Sequence, residues 1–238
     1  MSGRLAALCI DANDPGRLTR FWAGLLGREI GGDGVTITPR TDVEFDIVFR
    51  PTSEPKVGAN QMHLHLTSTT AADQRETVER ALGLGARHLD VGQRPEEGHV
   101  VLADPEGNEL CVIEPGNGFL DGCGFLGELA CDGSREVGLF WSDALGWPLV
   151  WDQDEETAVQ SPAGGTKVAW GGPPVRPRTG KNRMHLHVAL PPDTDLGVEA
   201  LRLLALGARR VDIGQGDVPW VVLADPDGNE FCLLDHPR

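Results

Sequence analysis

Two copies of one short pattern constrain this chain more than any other feature of its sequence. Residues 62–66 read Met-His-Leu-His-Leu and residues 184–188 read Met-His-Leu-His-Val, so the two copies hold four of the seven histidines. Alternate residues of a β-strand point to the same face of a sheet, and each copy therefore directs two imidazoles to one side. The leucine between them faces the opposite side, for which we predict a helix-covered, buried environment.

The surroundings of this pattern recur as well, which identifies a tandem duplication. Phe21-Trp22 returns as Phe140-Trp141, and Asp104-Pro105 returns as Asp225-Pro226, in each case about 120 residues later. The Gly-rich segment 115–124 between the copies has neither helical nor strand periodicity. We predict two domains, residues 1–116 and 123–238, joined by a linker.

Composition and charge exclude several classes of protein. The chain has 36 acidic and 21 basic residues, and a net charge of −15 repels the phosphate backbone of nucleic acid. No apolar run approaches the thickness of a bilayer, and the first ten residues lack the pattern of a signal peptide, which predicts a cytoplasmic protein without membrane contact. The five cysteines are odd in number and lack CxxC spacing, which argues against a disulfide framework or a zinc finger.

Each copy runs through strand and helix patterns in the same order. The first strand pattern ends at Asp14-Pro15, a helix-start signal, and the helix that follows repeats apolar residues at helical spacing until Gly27. The histidine strand comes later, followed by a helix from about residue 71 to 84 and three short strands. The predicted order is βαββ and then βαβββ in each copy, with Ser134 capping the first helix of the second copy.

Longer motifs make the chain resemble the vicinal oxygen chelate superfamily, which includes glyoxalase-like, bleomycin-resistance and extradiol dioxygenase proteins. The motifs are Phe-Trp before Leu-Gly in the first helix, Leu-x-Leu-Gly-Ala-Arg after the second helix, and Val-Val-Leu-Ala-Asp-Pro-x-Gly-Asn-Glu at 100–109 and 221–230. The resemblance implies an α+β fold of tandem domains. Each domain would have two βαβββ modules that form a curled, mixed sheet enclosing a cavity.

The Asp-Pro-x-Gly-Asn-Glu string is interpreted as a structural turn. Pro105 and Pro226 fix φ at the second turn position, and Gly107 and Gly228 accept a positive φ. These residues are expected to close a hairpin between the last two strands of each copy.

The resemblance also implies a metal site, from which this chain departs at two positions. His63 and His185 match the position of a histidine ligand in the family. The family's carboxylate position on the last strand is occupied by Cys111 or Cys232, and its first-strand position falls at residue 7 or about 126, neither of which can bind a metal.

Imidazole, carboxylate and thiolate groups close to these positions could replace the missing ligands. The candidate sites are His63, His65 and Cys111 with Cys9 or Glu109, and His185, His187 and Glu128 with Cys232 or Glu230. The second site is favoured, because Glu128 supplies a carboxylate where the first copy has Cys9. The expected cofactor is a divalent metal (zinc, iron, nickel or manganese), without an organic cofactor; the other interpretation is that the histidines are hydrogen-bonded interior residues and bind no metal.

Two classes of function follow. In the first, a metal on a histidine strand chelates two neighbouring oxygens of a small organic metabolite and stabilises an enolate or oxyanion during lyase, isomerase or oxygenase chemistry. In the second, a metal-free cavity binds a flat hydrophobic metabolite or drug, as resistance proteins of the family do. Glyoxalase I itself is disfavoured, because its glutamate ligands are absent. The oligomeric state stays open between a monomer and a homodimer.

Overall fold

A computed structural model describes residues 3–94, 96–176 and 180–235. The first repeat contains β1 (Arg4–Ala12), α1 (Pro15–Leu26), β2 (Thr36–Ile37), β3 (Asp46–Pro51), β4 (Met62–Leu66), α2 (Ala71–Gly83), β5 (Arg87–His88), β6 (Val100–Ala103) and β7 (Glu109–Val112). The second repeat contains β8 (Leu126–Cys131), α3 (Arg135–Leu145), β9 (Leu149–Gln153), β10 (Glu156–Val159), β11 (Lys167–Trp170), β12 (Met184–Ala189), α4 (Leu196–Ala205), β13 (Arg209–Arg210), β14 (Val221–Ala224) and β15 (Glu230–Leu234). A 3₁₀ helix, Gly118–Leu120, lies in the linker. The predicted α+β class is confirmed, and the first repeat has the predicted order βαββ and then βαβββ. The second repeat differs by one additional strand, β9, and has the order βαβββ twice.

The strands form two mixed sheets, and each sheet takes strands from both repeats: sheet 1 has three from the first and four from the second, and sheet 2 has four from each. Sheet 1 has the order β13-β14-β15-β12-β1-β3-β2, and sheet 2 has the order β5-β6-β7-β4-β8-β11-β10-β9. Within the sheets, the two repeats are joined by the antiparallel strand pairs β1 with β12 and β4 with β8. The expectation that both modules of one repeat share a sheet is therefore wrong. Alternation of polar and apolar residues determines the face that a strand buries, but it does not select between two similar neighbours.

The orientation of the two histidine strands agrees with the prediction. Leu64 and Leu186 lie in the main hydrophobic core, which contains side chains from all four helices and both sheets. The histidine rings lie on the opposite face, with centroids 4.7 Å apart in β4 and 5.0 Å apart in β12. Period-two alternation therefore assigned each face of these strands correctly.

The first helix of each repeat begins against the turn motif of the same repeat. Asp14 accepts a hydrogen bond from the backbone of Arg17, as predicted for a cap, and the Glu106 carboxylate accepts the backbone N–H groups of Asn13 and Asp14. In the second repeat Ser134 occupies the cap position, but it makes no side-chain capping bond and its hydroxyl donates to Asp227. Ser134 was therefore placed correctly, while its predicted capping bond is replaced by this contact.

Asp104 connects the turn of the first repeat to the Phe-Trp helix. One carboxylate oxygen accepts the backbone N–H groups of Glu106 and Asn108, at 2.8 and 2.9 Å. The other accepts the Trp22 indole N–H at 3.1 Å and the Asn108 side-chain amide at 2.8 Å. Gly107 has a φ of 90°. The turn interpretation is confirmed, and the same carboxylate also holds a core tryptophan.

We expect Asp104→Ala to lower the free energy of unfolding by about 3 kcal/mol, because several buried donors would lose their acceptor together. Asp90→Ala removes an exposed carboxylate that accepts a hydrogen bond from the backbone of Gly92, and it should cost about 0.5 kcal/mol or less. Urea unfolding of both variants measures the difference. Equal shifts of the two midpoints would show that Asp104 contributes no more than a surface turn.

Candidate functional site

Two clusters of imidazole and thiol side chains lie on the faces of the sheets opposite the main core. In each cluster, one nitrogen or sulfur atom from every member lies within 4.8 Å of those of the others. The sheet 1 cluster is Cys9, His185 and His187, and the sheet 2 cluster is His63, His65 and Cys111. Each pair of histidines thus has a thiol within reach of both rings.

Strand register builds the sheet 2 cluster. His65 on β4 lies beside Cys111 on β7 and, on its other side, beside Glu128 on β8. Residues directly opposite each other on paired strands project from the same face, so this row brings an imidazole, a thiol and a carboxylate together. His63 extends the row by one alternate position along β4.

A short hydrogen bond joins His65 to Glu128. The His65 Nδ1 lies 2.6 Å from the Glu128 Oε2, while its Nε2 is buried and has no hydrogen-bond partner among the residues that the structure describes. Burial by itself would lower the pKa of His65, but the adjacent polar side chains of Cys111 and then Glu128 outweigh it and raise that pKa to about 10. At neutral pH His65 is an imidazolium that donates to a carboxylate.

His63 has the opposite electrostatic state. Burial lowers its pKa to about 3, and the positive charges of His65, Arg176 and His99 act in the same direction. The sheet 2 cluster therefore holds one neutral and one protonated imidazole side by side at neutral pH. Two neighbouring groups whose pKa values are pushed apart are suited to act as base and acid.

A cavity of about 230 Å³ adjoins this cluster and is closed on one side by the linker. Its lining includes His65, His99, Glu128, Phe119 and Leu120. Lys167 on β11 is buried and lies opposite Glu128 on β8. Its ammonium group donates a hydrogen bond to the backbone oxygen of Phe119 and lies 4.7 Å from the centre of the Phe119 ring. The linker was predicted as a separator, and its role as a wall was missed. The signal was a pair of large apolar residues, Phe119 and Leu120, within a Gly-rich segment.

The sheet 1 cluster is assembled in the same way from β1, β12 and β15. Cys9 lies opposite His185, and Ala7 lies opposite His187. Cys232 lies beside His187 from the other side. The Nε2 atoms of the two imidazoles are 3.1 Å apart, so one donates to the other.

The groups of the sheet 1 cluster are uncharged at neutral pH. Burial, assisted by His187, Lys181 and Arg50, lowers the pKa of His185 to about 3. Burial and then Arg50 lower the pKa of His187 to about 4. Burial raises the pKa of the Cys9 thiol to about 12, although Arg50 partly opposes the shift. The Cys9 thiol is therefore not a ready thiolate nucleophile of the kind found in cysteine hydrolases.

Strand exchange between the repeats corrects the expected grouping of the candidate residues. Glu128 was expected beside His185 and His187, but it lies beside His65. Cys9 was expected with the first-repeat histidines, but it belongs to the sheet 1 cluster. The physical reason is that β1 and β8 each pair with the histidine strand of the other repeat. Whether any of these residues binds a metal stays a prediction.

The two alternative carboxylate ligands, Glu109 and Glu230, hold loops next to the sheets. Glu109 forms an ion pair with Lys56 at 2.8 Å and accepts the backbone N–H of Asn60. Glu230 accepts the backbone N–H of Asn182. Each of these glutamates is the first residue of its strand, β7 or β15. Each one holds the backbone of the loop that leads into the neighbouring histidine strand, β4 or β12.

A larger cavity, of about 470 Å³, has none of the four clustered histidines in the lining that the described residues give it. It is bounded by the loops at residues 51–61 and 180–183. Three of its cationic residues are each bonded to a carboxylate: Lys56 to Glu109, Lys181 to Asp11 and Arg183 to Glu106. Its charges are thus largely neutralised within the protein, and the chemistry-bearing groups are concentrated beside the smaller cavity.

Known structures share this architecture over almost the whole chain. Glyoxalase I from Zea mays aligns with a TM-score of 0.68 at 14% identity, covering 98% of this chain and 92% of that protein. A protein from Bacillus subtilis named as a candidate dioxygenase aligns with a TM-score of 0.62 at 16% identity, covering 100% of this chain and 87% of that one. Identities this low establish a shared fold and leave the reaction open.

Sequence comparison gives the family. No curated protein matches the chain significantly. No helix among residues 3–94, 96–176 and 180–235 is long and apolar enough to cross a membrane. The family model of the glyoxalase-like domain matches twice, at residues 7–113 and 128–234. The boundaries predicted at 1–116 and 123–238 surround these matches and stay a prediction. With most of its length matched in two consecutive copies, the chain belongs to the glyoxalase-like domain family.

Proposed function

We propose that this protein is an enzyme that acts on a small, oxygen-bearing organic metabolite in the cavity beside His65, with a divalent metal held by the sheet 2 cluster. The observation that carries the proposal is the His65 ring, whose Nδ1 is bonded to Glu128 while its buried Nε2 has no partner in the described part of the chain. The reaction would be a lyase, isomerase or oxygenase step in which negative charge develops on substrate oxygen.

The donor groups fit a metal. Histidines that bind metals usually donate their second ring nitrogen to a carboxylate, which fixes the tautomer and turns the other nitrogen toward the ion. His65 and Glu128 have this arrangement. Once the His65 Nε2 proton and the Cys111 thiol proton are released to solvent, His63, His65 and Cys111 would supply two neutral imidazoles and one thiolate. Such a set suits zinc and also iron or nickel, and three protein ligands leave a position for substrate. A metal bound there would act as a Lewis acid on the substrate oxygens.

The protein's own residues supply the remaining requirements. Glu128 keeps a proton on the His65 Nδ1 and holds the ring in place. Phe119 and Leu120 line one side of the cavity with apolar surface, which lowers the local polarity and strengthens electrostatic interactions inside it. Lys167 places a buried positive charge on the same face, where it favours an anionic substrate or intermediate.

A metal-free acid and base mechanism is the second candidate, and the opposed pKa shifts of the two imidazoles favour it. The neutral His63 can accept a proton, and the His65 imidazolium can donate one to a developing oxyanion. The third candidate, a binding or resistance protein, would use the same cavity without turnover. The cytoplasmic location and the absence of an organic cofactor remain predictions.

Elemental analysis of protein purified without an affinity tag separates these candidates. All variants carry Cys9→Ala, which removes the thiol of the sheet 1 cluster. The protein with this substitution alone is expected to contain about one metal ion per chain. His65→Ala should lose it, whereas His88→Ala, at an exposed histidine of β5, should retain it.

The remaining outcomes decide against the metal. Turnover without bound metal that is lost in His63→Ala and His65→Ala would support acid and base catalysis. If the parent shows no turnover and both variants still bind the ligand, the protein would be a binding protein and not an enzyme.

A further inference from the structure

We propose that residues 117–121 of the linker form a lid over the sheet 2 cavity. An anionic substrate opens this lid by taking the Lys167 ammonium group from the Phe119 carbonyl oxygen. The inference rests on the proposed function, because it concerns the same cavity. It adds the charge class of the substrate, an organic carboxylate, and the residue that recognises it.

The closed cavity is smaller than a typical binding site. Its volume is about 230 Å³, whereas sites for organic ligands usually measure about 300–1,000 Å³. Asn117, Phe119 and Leu120 of the lid all contribute to its lining. Movement of the lid would therefore both enlarge the cavity and admit a substrate.

The lid lies between two glycines and is attached to the sheet at few points. Gly116 and Gly122 have φ values of 80° and 78°, and a Cβ at either position would lie in open space. The backbone hydrogen bonds within residues 117–121 are local. Among the described residues, the one hydrogen bond that joins the lid to a β-strand is the bond from Lys167 to Phe119. The lid can therefore move as a unit once this bond is exchanged.

Lys167 is a buried cation without a carboxylate partner. Arg28 is buried to a similar degree, and its guanidinium forms an ion pair with Glu44 at 3.3 Å. The Lys167 ammonium group instead contacts the carbonyl oxygen and the ring of Phe119, and no carboxylate in the described part of the chain pairs with it. Buried charges are normally paired, because their desolvation is costly. A substrate carboxylate would supply the missing counter-charge.

Comparison of the two sheets, position by position, shows that the fold does not require this lysine. Lys167 lies opposite Glu128 and therefore projects from the same face as His65. In sheet 1 the corresponding position holds Asp46, opposite Ala7. One sheet thus carries an acid where the other carries a base, and the base lies on the sheet whose cavity adjoins a histidine cluster.

The position of Phe119 makes the lid sensitive to charge. Its ring and carbonyl group cover the Lys167 ammonium group, with 4.7 Å between the ammonium nitrogen and the ring centre. Because Phe119 lines the cavity, a carboxylate inside it reaches Lys167 only after Phe119 moves. A ligand shifts an equilibrium only by binding one state more tightly. The contact between carboxylate and ammonium forms in the open state alone, so the substrate's own charge opens the lid.

Apolar contacts return the lid to its closed position. Leu120 packs with Val101 and Ile113, and the Phe119 ring lies edge-on to Trp151 with the ring centroids 5.6 Å apart. These contacts are non-directional and form again when the ligand leaves. The ammonium group then regains the carbonyl oxygen of the lid.

Benzoate and benzamide, two flat probes of similar shape that differ in charge, test the charge requirement. Calorimetry of the full-length protein is expected to show benzoate binding about tenfold more tightly than benzamide, because its bond to Lys167 is charge-assisted. Lys167→Met should bind both probes equally, and Lys167→Arg should keep the preference. Lys181→Met, at a lysine paired with Asp11 of sheet 1, is the matched control and should also keep it. Each titration is repeated after treatment with a chelator, so that the charge of a bound metal does not imitate that of Lys167.

Hydrogen exchange of the linker, followed by mass spectrometry, tests the lid itself. Saturating benzoate should accelerate exchange at residues 117–123 of the parent, and benzamide should not. Lys167→Met should show the faster exchange without any probe, because the bond that holds Phe119 is missing. Benzoate should then have no further effect.

Equal affinities of the parent for the two probes, or no binding of either at millimolar concentration, would overturn the proposal. A preference for benzoate that survives Lys167→Met after chelator treatment would overturn it as well, and so would bound benzoate that leaves linker exchange unchanged. Elemental analysis separates this test from that of the proposed function, because Lys167→Met should retain the metal of the sheet 2 cluster. A parent that contains no metal but selects benzoate through Lys167 would refute the metal and leave the lid.

Discussion

Replacing Glu128 with glutamine is expected to lower the free energy of unfolding by about 3 kcal/mol at pH 7. The carboxylate and the His65 imidazolium form a hydrogen-bonded ion pair at 2.6 Å, with side chains only 10% and 17% exposed. Glutamine keeps the shape of the side chain but removes the charge that stabilises the imidazolium. His65 would then be held in a buried position without its counter-ion, which favours its neutral form.

The pH dependence of this loss follows from the direction of the pKa shift. The pKa of His65 is raised to about 10 in the folded protein, above the ordinary value of 6.5. Stabilisation by its proton is therefore complete below about pH 6.5 and disappears as pH rises through about 10. We expect the difference in the free energy of unfolding between the parent and Glu128→Gln to decrease steadily between pH 7 and pH 10.

Urea unfolding of the parent and of Glu128→Gln at pH 6 to 10.5 measures both the size of the stability loss and its dependence on pH. Glu136→Gln, at an exposed position in the first turn of α3, is the matched control and should lower the free energy of unfolding by about 0.5 kcal/mol or less, without a decrease between pH 7 and pH 10. A gap that stays constant across the range, or widens toward pH 10, would mean that the His65 and Glu128 pair is not ionised as described.

Separating the two repeats is expected to remove cooperative folding from both. Residues 1–116 and 123–238, produced individually, would each expose the long strands that pair with the other repeat, β1 and β4 in one case and β8 and β12 in the other. Unpaired, apolar strand edges promote self-association. We expect each fragment to lack a monomeric state with its own unfolding transition, because one hydrophobic core is shared between the repeats.

Co-expression provides the complementary measurement. The two fragments together should form a 1:1 complex that unfolds close to the midpoint of the intact chain, which sedimentation and urea unfolding can determine. A fragment that sediments as a monomer and unfolds cooperatively by itself would contradict the shared architecture.

The sequence predicted local features well because they depend on neighbouring residues. The period of two placed Leu64 in the core and His63 and His65 together on the other face. The turn residues of the Asp-Pro-x-Gly-Asn-Glu string and the glycine at the end of α1 act within a few positions of one another. Each of these features could be read from its own segment.

The composition of each site could not be predicted in the same way, because it depends on which strands pair. The sequences of β1 and β8 are equally compatible with either histidine strand, and the choice between them moved Glu128 from one site to the other. The position of the linker beside the sheet 2 cavity could not be predicted for a similar reason. Phe119 is held by Lys167, 48 positions along the chain, and a short Gly-rich segment gives no indication of such a contact.

The exchange of strands between repeats has an evolutionary consequence. A chain with one repeat could complete such sheets only by pairing with a second copy of itself, and the resulting symmetric dimer would carry two identical pockets. Every substitution in that ancestor would have changed both pockets at once. Duplication within one gene broke this symmetry. One sheet could then acquire Glu128 while the other acquired Cys9, so a single polypeptide holds two clusters that differ in their side chains.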